Sequence, residues 1–476
     1  MSAHPATQAT TTSAIVLSSK STQEMTVPLV VVGAGLAGWT AVREFRKLNS
    51  VTPVIVVTAD SGDFYAKPGL SNALGQKRTP AQLISTPAAK MAETLNVTLL
   101  AFTKVTSIDT ARHELTLQSF GASRTLTYGQ LVLATGAQPI RSAIAGNAAS
   151  QVLSVNSLDD FLALYAKLAG PFSNSPRSDA ATSQPHSGTE AVISNQYNKA
   201  NFVKKSVLVI GAGLIGCEFA NDLLQVGHSV HVVDPSPRPL AALLPEAASL
   251  QLQVALQNLG AKWHFGTTVQ AVDAVQAIEA SAGQSPNAQA HTLDEAIGTQ
   301  LCVTLSDGTQ VQVDAVLSAI GLRADTALAS SAGLACDRGI VVDAYLETSE
   351  MQVYALGDGA QYASADQRTL PYVMPIMNAA KALAATLNGT KTELVFPLMP
   401  VAIKTPALPI VVSAAHPRTT GNWVADSAET EGLWRFMDSE DVQRGFVLTG
   451  KSTARRMELS KATQIQVSAS PPSSPP

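Results

Sequence analysis

Two stretches of this chain carry one design. Residues 28–48, PLVVVGAGLAGWTAVREFRKL, and residues 207–227, VLVIGAGLIGCEFANDLLQVG, each read as an apolar run, a Gly-x-Gly-x-x-Gly turn and an amphipathic segment. A second apolar run follows each, PVIVVTAD at 53–60 and SVHVVD at 229–234. Apolar runs on both sides of a helix predict a β-α-β unit, whose parallel strands must be covered by helices. One such turn is a common chance match. Two, each between strand and helix, constrain the chain to an α/β class with two doubly wound dinucleotide-binding units.

The glycines of the two copies have matching tasks. Gly33 and Gly211 permit the tight turn, and Gly35 and Gly213 let backbone approach a pyrophosphate. Gly38 and Gly216 allow close packing of helix on strand. Ala34, Leu36 and Ala37 complete the first cradle. The helix N-terminus then offers N–H groups and a partial positive charge to phosphate.

An acid at the end of the second strand sorts the ribose chemistry. Asp234 ends SVHVVD, 23 residues after Gly211, which favours NAD in that unit. Arg238, four residues on, leaves a 2′-phosphate open. In the first unit the strand ends at Thr58 and the acid is displaced to Asp60, so Thr58, Ala59 and Asp60 are the binding candidates.

Bulk properties exclude other classes. Among 476 residues, 32 Lys and Arg against 36 Asp and Glu give a net charge of −4, so no global basic field points to nucleic acid. No apolar run reaches the roughly 18 residues of a membrane-spanning helix. Cys217, Cys302 and Cys336 are far apart and in no metal-ligand spacing. That pattern predicts no metal site and a reducing, cytoplasmic setting. Residues 1–26, 171–203 and 467–476 are polar or Pro/Ser-rich and are expected to lack regular structure, 171–203 as an insertion.

Two further segments point the first unit towards FAD. LVLATGAQP (131–139) feeds the turn Ala134-Thr135-Gly136, and VYALGDGA (353–360) ends in Gly357-Asp358, where an aspartate can accept from a ribitol hydroxyl. With these in place the chain resembles the pyridine nucleotide–disulfide oxidoreductase superfamily over about residues 27–460. The resemblance implies an FAD domain at 27–150 and 325–393, with an NAD domain inserted at 151–324. A small C-terminal α+β domain at 394–466 would complete it.

The loop FYAKPGLS (64–71) decides where electrons leave. Proline removes a backbone donor and disfavours helix in the residue before it, so Lys67 is expected in extended backbone. Superfamily members with thiol chemistry keep a cysteine here, and this chain has Pro68. Cys217 reads as a small buried filler, Cys302 as part of an alternating strand before an Asp-Gly hairpin, and Cys336 as a turn neighbour. Reductases of iron–sulfur proteins carry Tyr-x-[Arg/Lys]-Pro-x-Leu-Ser at this loop. Tyr65, Lys67, Pro68, Leu70 and Ser71 match it. With GAGLIGCEFANDL, YVMPIMNAAKALAATL and VAIKTPALPIVVS, they resemble the rubredoxin–NAD reductase subfamily of alkane-oxidising bacteria.

That resemblance implies FAD and NAD as cofactors and rubredoxin, a small acidic iron protein, as partner. Monomer and homodimer both fit. It implies that Lys67 stands against the flavin and that Glu218 stands over the nicotinamide pocket, as the two catalytic residues. A Lys67–Glu218 ion pair that parts when NADH enters is the sharper expectation. Val105 would serve adenine and Asp358 the ribityl–phosphate region. Tyr372 and Val373 would open a helix over 372–388, and Lys404 would line the flavin. No nucleophile or general base is needed. Arg43, Arg46, Lys47, Lys77 and Arg78 are the candidate basic docking patch. Ferredoxin reductases and NADH oxidase-type flavoenzymes are the alternatives, with a non-enzymatic NAD-binding regulator behind them.

Overall fold

A computed structural model describes residues 27–169, 203–275, 300–426 and 432–465. The segments 1–26 and 467–476, and 171–203 except for its last residue, lie outside the described residues.

Both glycine turns fold into parallel units. Strand Leu29–Val32, helix Leu36–Leu48 and strand Val54–Val57 form the first, with Leu29 beside Val54. Strand Ser206–Ile210, helix Leu214–Gln225 and strand Ser229–Asp234 form the second, with Ser206 beside Ser229. Continuous Val/Leu/Ile runs suit strands covered on both faces. Accordingly, Leu29 to Val32 and Val207 to Ile210 are all buried.

The first sheet has five parallel strands in the order Val353–Ala355, Gln130–Leu133, Leu29–Val32, Val54–Val57 and Thr98–Leu100. Its first member arrives from far down the chain and brings Gly357-Asp358 to the first glycine turn. The second sheet is also parallel, ordered Lys262–Phe265, Ser229–Asp234, Ser206–Ile210, Ala315–Ser318 and Leu153–Ser154. Leu322–Ala324 pairs antiparallel with Ala137–Pro139 and joins the two halves. A third sheet of five antiparallel strands runs from Val401 to Thr449.

Core sharing fixes how these layers meet. Ile403, Ile410, Val412 and Val447 of the third sheet belong to the hydrophobic cluster that holds Val207, Phe219 and Leu317 of the second. Leu70, Ala73 and Leu74, just past Pro68, join the same cluster. The Lys-Pro loop therefore packs on the second unit's core.

One local expectation is corrected here. Lys67 does not continue extended chain: Lys67–Asn72 is a 3₁₀ helix, and the extended residue is Ala66. A proline in the first helical turn loses no hydrogen bond, because that N–H has no intrahelical partner. The later helix spans Val373–Leu387 with Tyr372 before its first turn. Leu301, Val303 and Leu305 are buried around the less buried Cys302, and the strand turns back through Asp307-Gly308.

Candidate active site

Both glycine turns open into one continuous cleft of about 2600 Å³. Pockets for a single small ligand usually span about 300–1,000 Å³, so this volume suits two nucleotides together. Of the residues expected to bind cofactor, Gly33, Ala34, Gly35, Leu36, Ala37, Thr58, Ala59, Asp60, Lys67, Val105, Thr135 and Gly136 line it on the first unit's side. Gly211, Gly213, Glu218 and Asp234 line it from the second, with Asp358, Val373 and Lys404 completing the wall. Gly38, Gly216 and Gly357 lie behind that wall.

The two turns have matching geometry. Gly33 and Gly211 have φ of 107° and 104°, where a side chain would be strained. A Cβ on Gly38 or Gly216 would stand 1.9 Å from the carbonyl oxygen of Gly33 or Gly211. A Cβ on Gly35 or Gly213 would meet nothing within 4 Å, so their backbone borders open cleft. Neither residue, at its helix start, supplies a side-chain cap. Uncapped helix N-termini beside such a cleft fit the phosphates of two dinucleotides.

The acids after the strands are both held by backbone. Asp234 accepts from Ala212 N–H at 2.6 Å and Ser236 N–H at 2.7 Å. Asp60 accepts from the Thr58 hydroxyl at 2.6 Å and Gly62 N–H at 3.0 Å. Arg238 is turned away: its guanidinium donates to the Leu244 and Ala241 carbonyls at 3.0 and 3.3 Å. The cation next to Asp234 thus closes its own loop.

Lys67 and Asp358 both line the cleft and attract one another. Burial pushes the Lys67 ammonium below and the Asp358 carboxyl above their ordinary ranges, while their mutual attraction opposes both shifts. Asp60 and Asp160 add to the negative field on Lys67. Behind Asp358, Gly357 N–H donates to the Tyr362 hydroxyl at 2.7 Å, and that hydroxyl donates to the Gly357 carbonyl at 3.1 Å. Tyr362 carried no motif that sequence reading could detect.

The expected Lys67–Glu218 pair is corrected. Glu218, fully buried, takes the ammonium of Lys404 as its ion-pair partner. Its carboxylate also accepts from Lys404 N–H at 2.9 Å and from the Ser71 hydroxyl at 2.5 Å. The reason is position: Lys404 directly follows strand Val401–Ile403, whose sheet shares its core with the Glu218 helix. Lys67 is instead answered by three aspartates.

The same helix fastens the loop and the third sheet with its next turn. Asn221 accepts from Ala407 N–H at 3.1 Å. Asp222 accepts from Leu74 and Gly75 N–H at 2.9 and 2.7 Å. Burial lifts the Asp222 carboxyl to about 7, against the pull of those N–H groups. Tyr65 closes the near side, its hydroxyl accepting from Leu158 N–H at 3.1 Å.

Cys217 is buried with its thiol pushed strongly up by burial, and donates to the Ala212 carbonyl at 3.3 Å. No cysteine is among the described residues lining the cleft. The basic patch expected on the first helix is largely committed elsewhere. Arg46 donates to the carbonyls of Leu95, Asn49, Thr52 and Asn96. Lys47 pairs with Glu44 at 2.6 Å and Arg43 lies 5.1 Å over the Phe64 ring.

Comparison with known proteins accords with this arrangement. Residues 393–463 match the rubredoxin binding C-terminal domain model. A rubredoxin-NAD(+) reductase of Acinetobacter baylyi is 39% identical over 91% of this chain and 97% of its own length. One of Alcanivorax borkumensis is 38% identical over 91% and 98%. A nitric oxide reductase FlRd-NAD(+) reductase of Aliivibrio fischeri is 33% identical over the same shares. The crystal structure of a covalent putidaredoxin reductase–putidaredoxin complex shares the fold, with a TM-score of 0.71 at 21% identity over 92% of this chain and 93% of that one. With residues 27–384 matching the pyridine nucleotide-disulphide oxidoreductase model, the chain belongs to that family.

Proposed function

We propose that this protein is an FAD-dependent reductase that takes electrons from NADH and delivers them to rubredoxin. The observation that carries the reading is one cleft, walled by two uncapped glycine turns, with Lys67 in its wall and no cysteine among the described lining residues. FAD would be held by Gly33 to Ala37, Asp60, Val105, Thr135, Gly136 and Asp358, and NADH by Gly211, Gly213 and Asp234. FAD held there would supply the chemistry of two-electron exchange with nicotinamide and one-electron exchange with an iron carrier.

The chain's own residues orient and stabilise. Lys67 supplies a positive charge at the loop where thiol-using relatives carry cysteine. Glu218, with Lys404 and Ser71, keeps a charged yet neutralised wall on the helix that the second glycine turn opens. Asp234 favours an unmodified ribose, and Arg238 is committed to carbonyls. The C-terminal match and the two rubredoxin-NAD(+) reductase relatives support rubredoxin as acceptor. Free cysteines support a cytoplasmic setting, and the sequence resemblance supports an alkane hydroxylase downstream.

Stopped-flow reoxidation of the NADH-reduced protein by rubredoxin, by ferredoxin and by oxygen, side by side, tests the reading. Rubredoxin should be fastest. Faster reoxidation by oxygen would make it an oxidase, and by ferredoxin a ferredoxin reductase.

A further inference from the structure

The helix Val373–Leu387 has one face turned inwards and one bare. Ile376, Ala379, Ala380, Leu383, Ala384 and Leu387 are buried in the first unit's core. At its start, Val373, Met374 and Met377 are exposed by 37%, 48% and 38%. Lys381 extends the same outward face by one turn and is exposed. An amphipathic helix normally leaves polar residues outside, so Met377, exposed beside the cleft-lining Val373 and Met374, requires an explanation.

This bare face is continuous with the C-terminal domain. Val373 and Met374 line the cleft, as do Leu398, Met399 and Pro400. Asn378 bridges the two sides, donating to the Met374 carbonyl at 2.9 Å and reaching the Met399 sulfur at 3.6 Å. Met399 lies within the rubredoxin-binding match, whereas Met374 and Met377 lie outside it.

Several cations stand on this side of the cleft although the chain is net −4. Arg418, with 76% of its side chain exposed, reaches Asp366 at 3.2 Å, and His416 stands 3.3 Å from the same carboxylate. Arg368 lines the cleft beside them, and Arg444 lines it while paired with Asp438 at 2.6 Å. Lys381, exposed on the helix, adds a further cation near this face. An apolar, Met-rich centre inside a charged rim suits a transient, adaptable protein contact.

We propose that Met374, Met377 and Lys381 form the second half of the carrier dock, which therefore spans the flavin-side helix as well as the C-terminal domain. The occupant is an acidic one-iron carrier of the rubredoxin class, and this rests on the reading above. Its apolar surface covers the methionines while its carboxylates meet Lys381, Arg418 and Arg368. Docked there, the carrier closes the mouth of the cleft.

The test uses holoprotein with Met377→Glu, Met377→Leu and Lys381→Glu, assayed with NADH against rubredoxin and against ferricyanide. A buried carboxylate at the centre of the contact should raise the KM for rubredoxin about tenfold. Met377→Leu should restore it, and ferricyanide turnover should hold throughout. Lys381→Glu should raise the KM and flatten its salt dependence. An unchanged rubredoxin KM in both charged variants overturns the dock and leaves the reductase reading standing. A wild type that never reduces rubredoxin overturns the reading itself, and the occupant with it. A wild-type dimer that Met377→Glu splits into monomers, seen by sedimentation, would assign the face to a second copy and overturn the proposal.

Discussion

Glu218 and Lys404, 186 positions apart, form an ion pair across the seam between the second glycine-turn helix and the third sheet. The carboxylate is fully buried and the lysine side chain 28% exposed. Lys404→Met would leave a buried charge with only the Ser71 hydroxyl and one backbone N–H as partners. We expect a loss of roughly 1–3 kcal/mol, reduced from a fully buried pair by the lysine's exposure. Urea unfolding measures it, and Glu218→Gln together with Lys404→Met should recover part of the loss. A double variant no more stable than Lys404→Met would show that the pair is not coupled.

Lys67 lies in the field of Asp358, Asp60 and Asp160 at the cleft wall. Replacing it by methionine removes the charge that favours reduced, anionic flavin. The midpoint potential of the bound flavin should fall by on the order of tens of millivolts, where 30 mV corresponds to about 1.4 kcal/mol for two electrons. Lys67→Arg should keep most of the wild-type value. Dye-equilibration potentiometry reads this directly, and identical potentials in all three proteins would refute the role.

The glycines of one turn should separate by function. Alanine at Gly213 meets no protein atom within 4 Å, so the protein should fold and retain flavin while the KM for NADH rises. Alanine at Gly216 would place its Cβ 1.9 Å from the Gly211 carbonyl oxygen, and the second unit should fail to form. Flavin content, circular dichroism and NADH titration distinguish the two. A Gly213→Ala variant with wild-type KM would count against pyrophosphate approach at that point.

Asp222 gives stability a pH dependence with a definite sign. In the fold its carboxyl titrates near 7, whereas an unfolded aspartate titrates near 3.9. Between about pH 4 and pH 7 the folded state holds more protons, so this group's contribution is full at low pH and fades as pH rises through about 7. Asp222→Asn removes that titration. Relative to the variant, wild type should lose stability between about pH 4 and pH 7 and level off above that. Parallel urea midpoints across that range would contradict the raised pKa.

Much of the site was legible because it depends on short-range sterics. Gly33 and Gly211 announce themselves because only glycine accepts their positive φ between strand and helix, and Gly38 and Gly216 because no Cβ fits there. Pro68 in place of cysteine was equally plain. The helix at Val373–Leu387, implied by the family resemblance, differs from its expected span by one residue at each end.

The partners of charged side chains were decided by tertiary structure. Nothing near Glu218 in sequence indicates that Lys404, and not Lys67, will meet it. That depends on the third sheet sharing a core with the second unit. Arg46, read as a docking charge, became a clamp on four carbonyls once the chain near Leu95 packed beside its helix. Tyr362 and Asp222 gained their roles the same way. A glycine's backbone freedom is a property of a few residues, which sequence states outright. A charge takes whichever partner the fold brings within 3 Å or so, and only the assembled layers determine that.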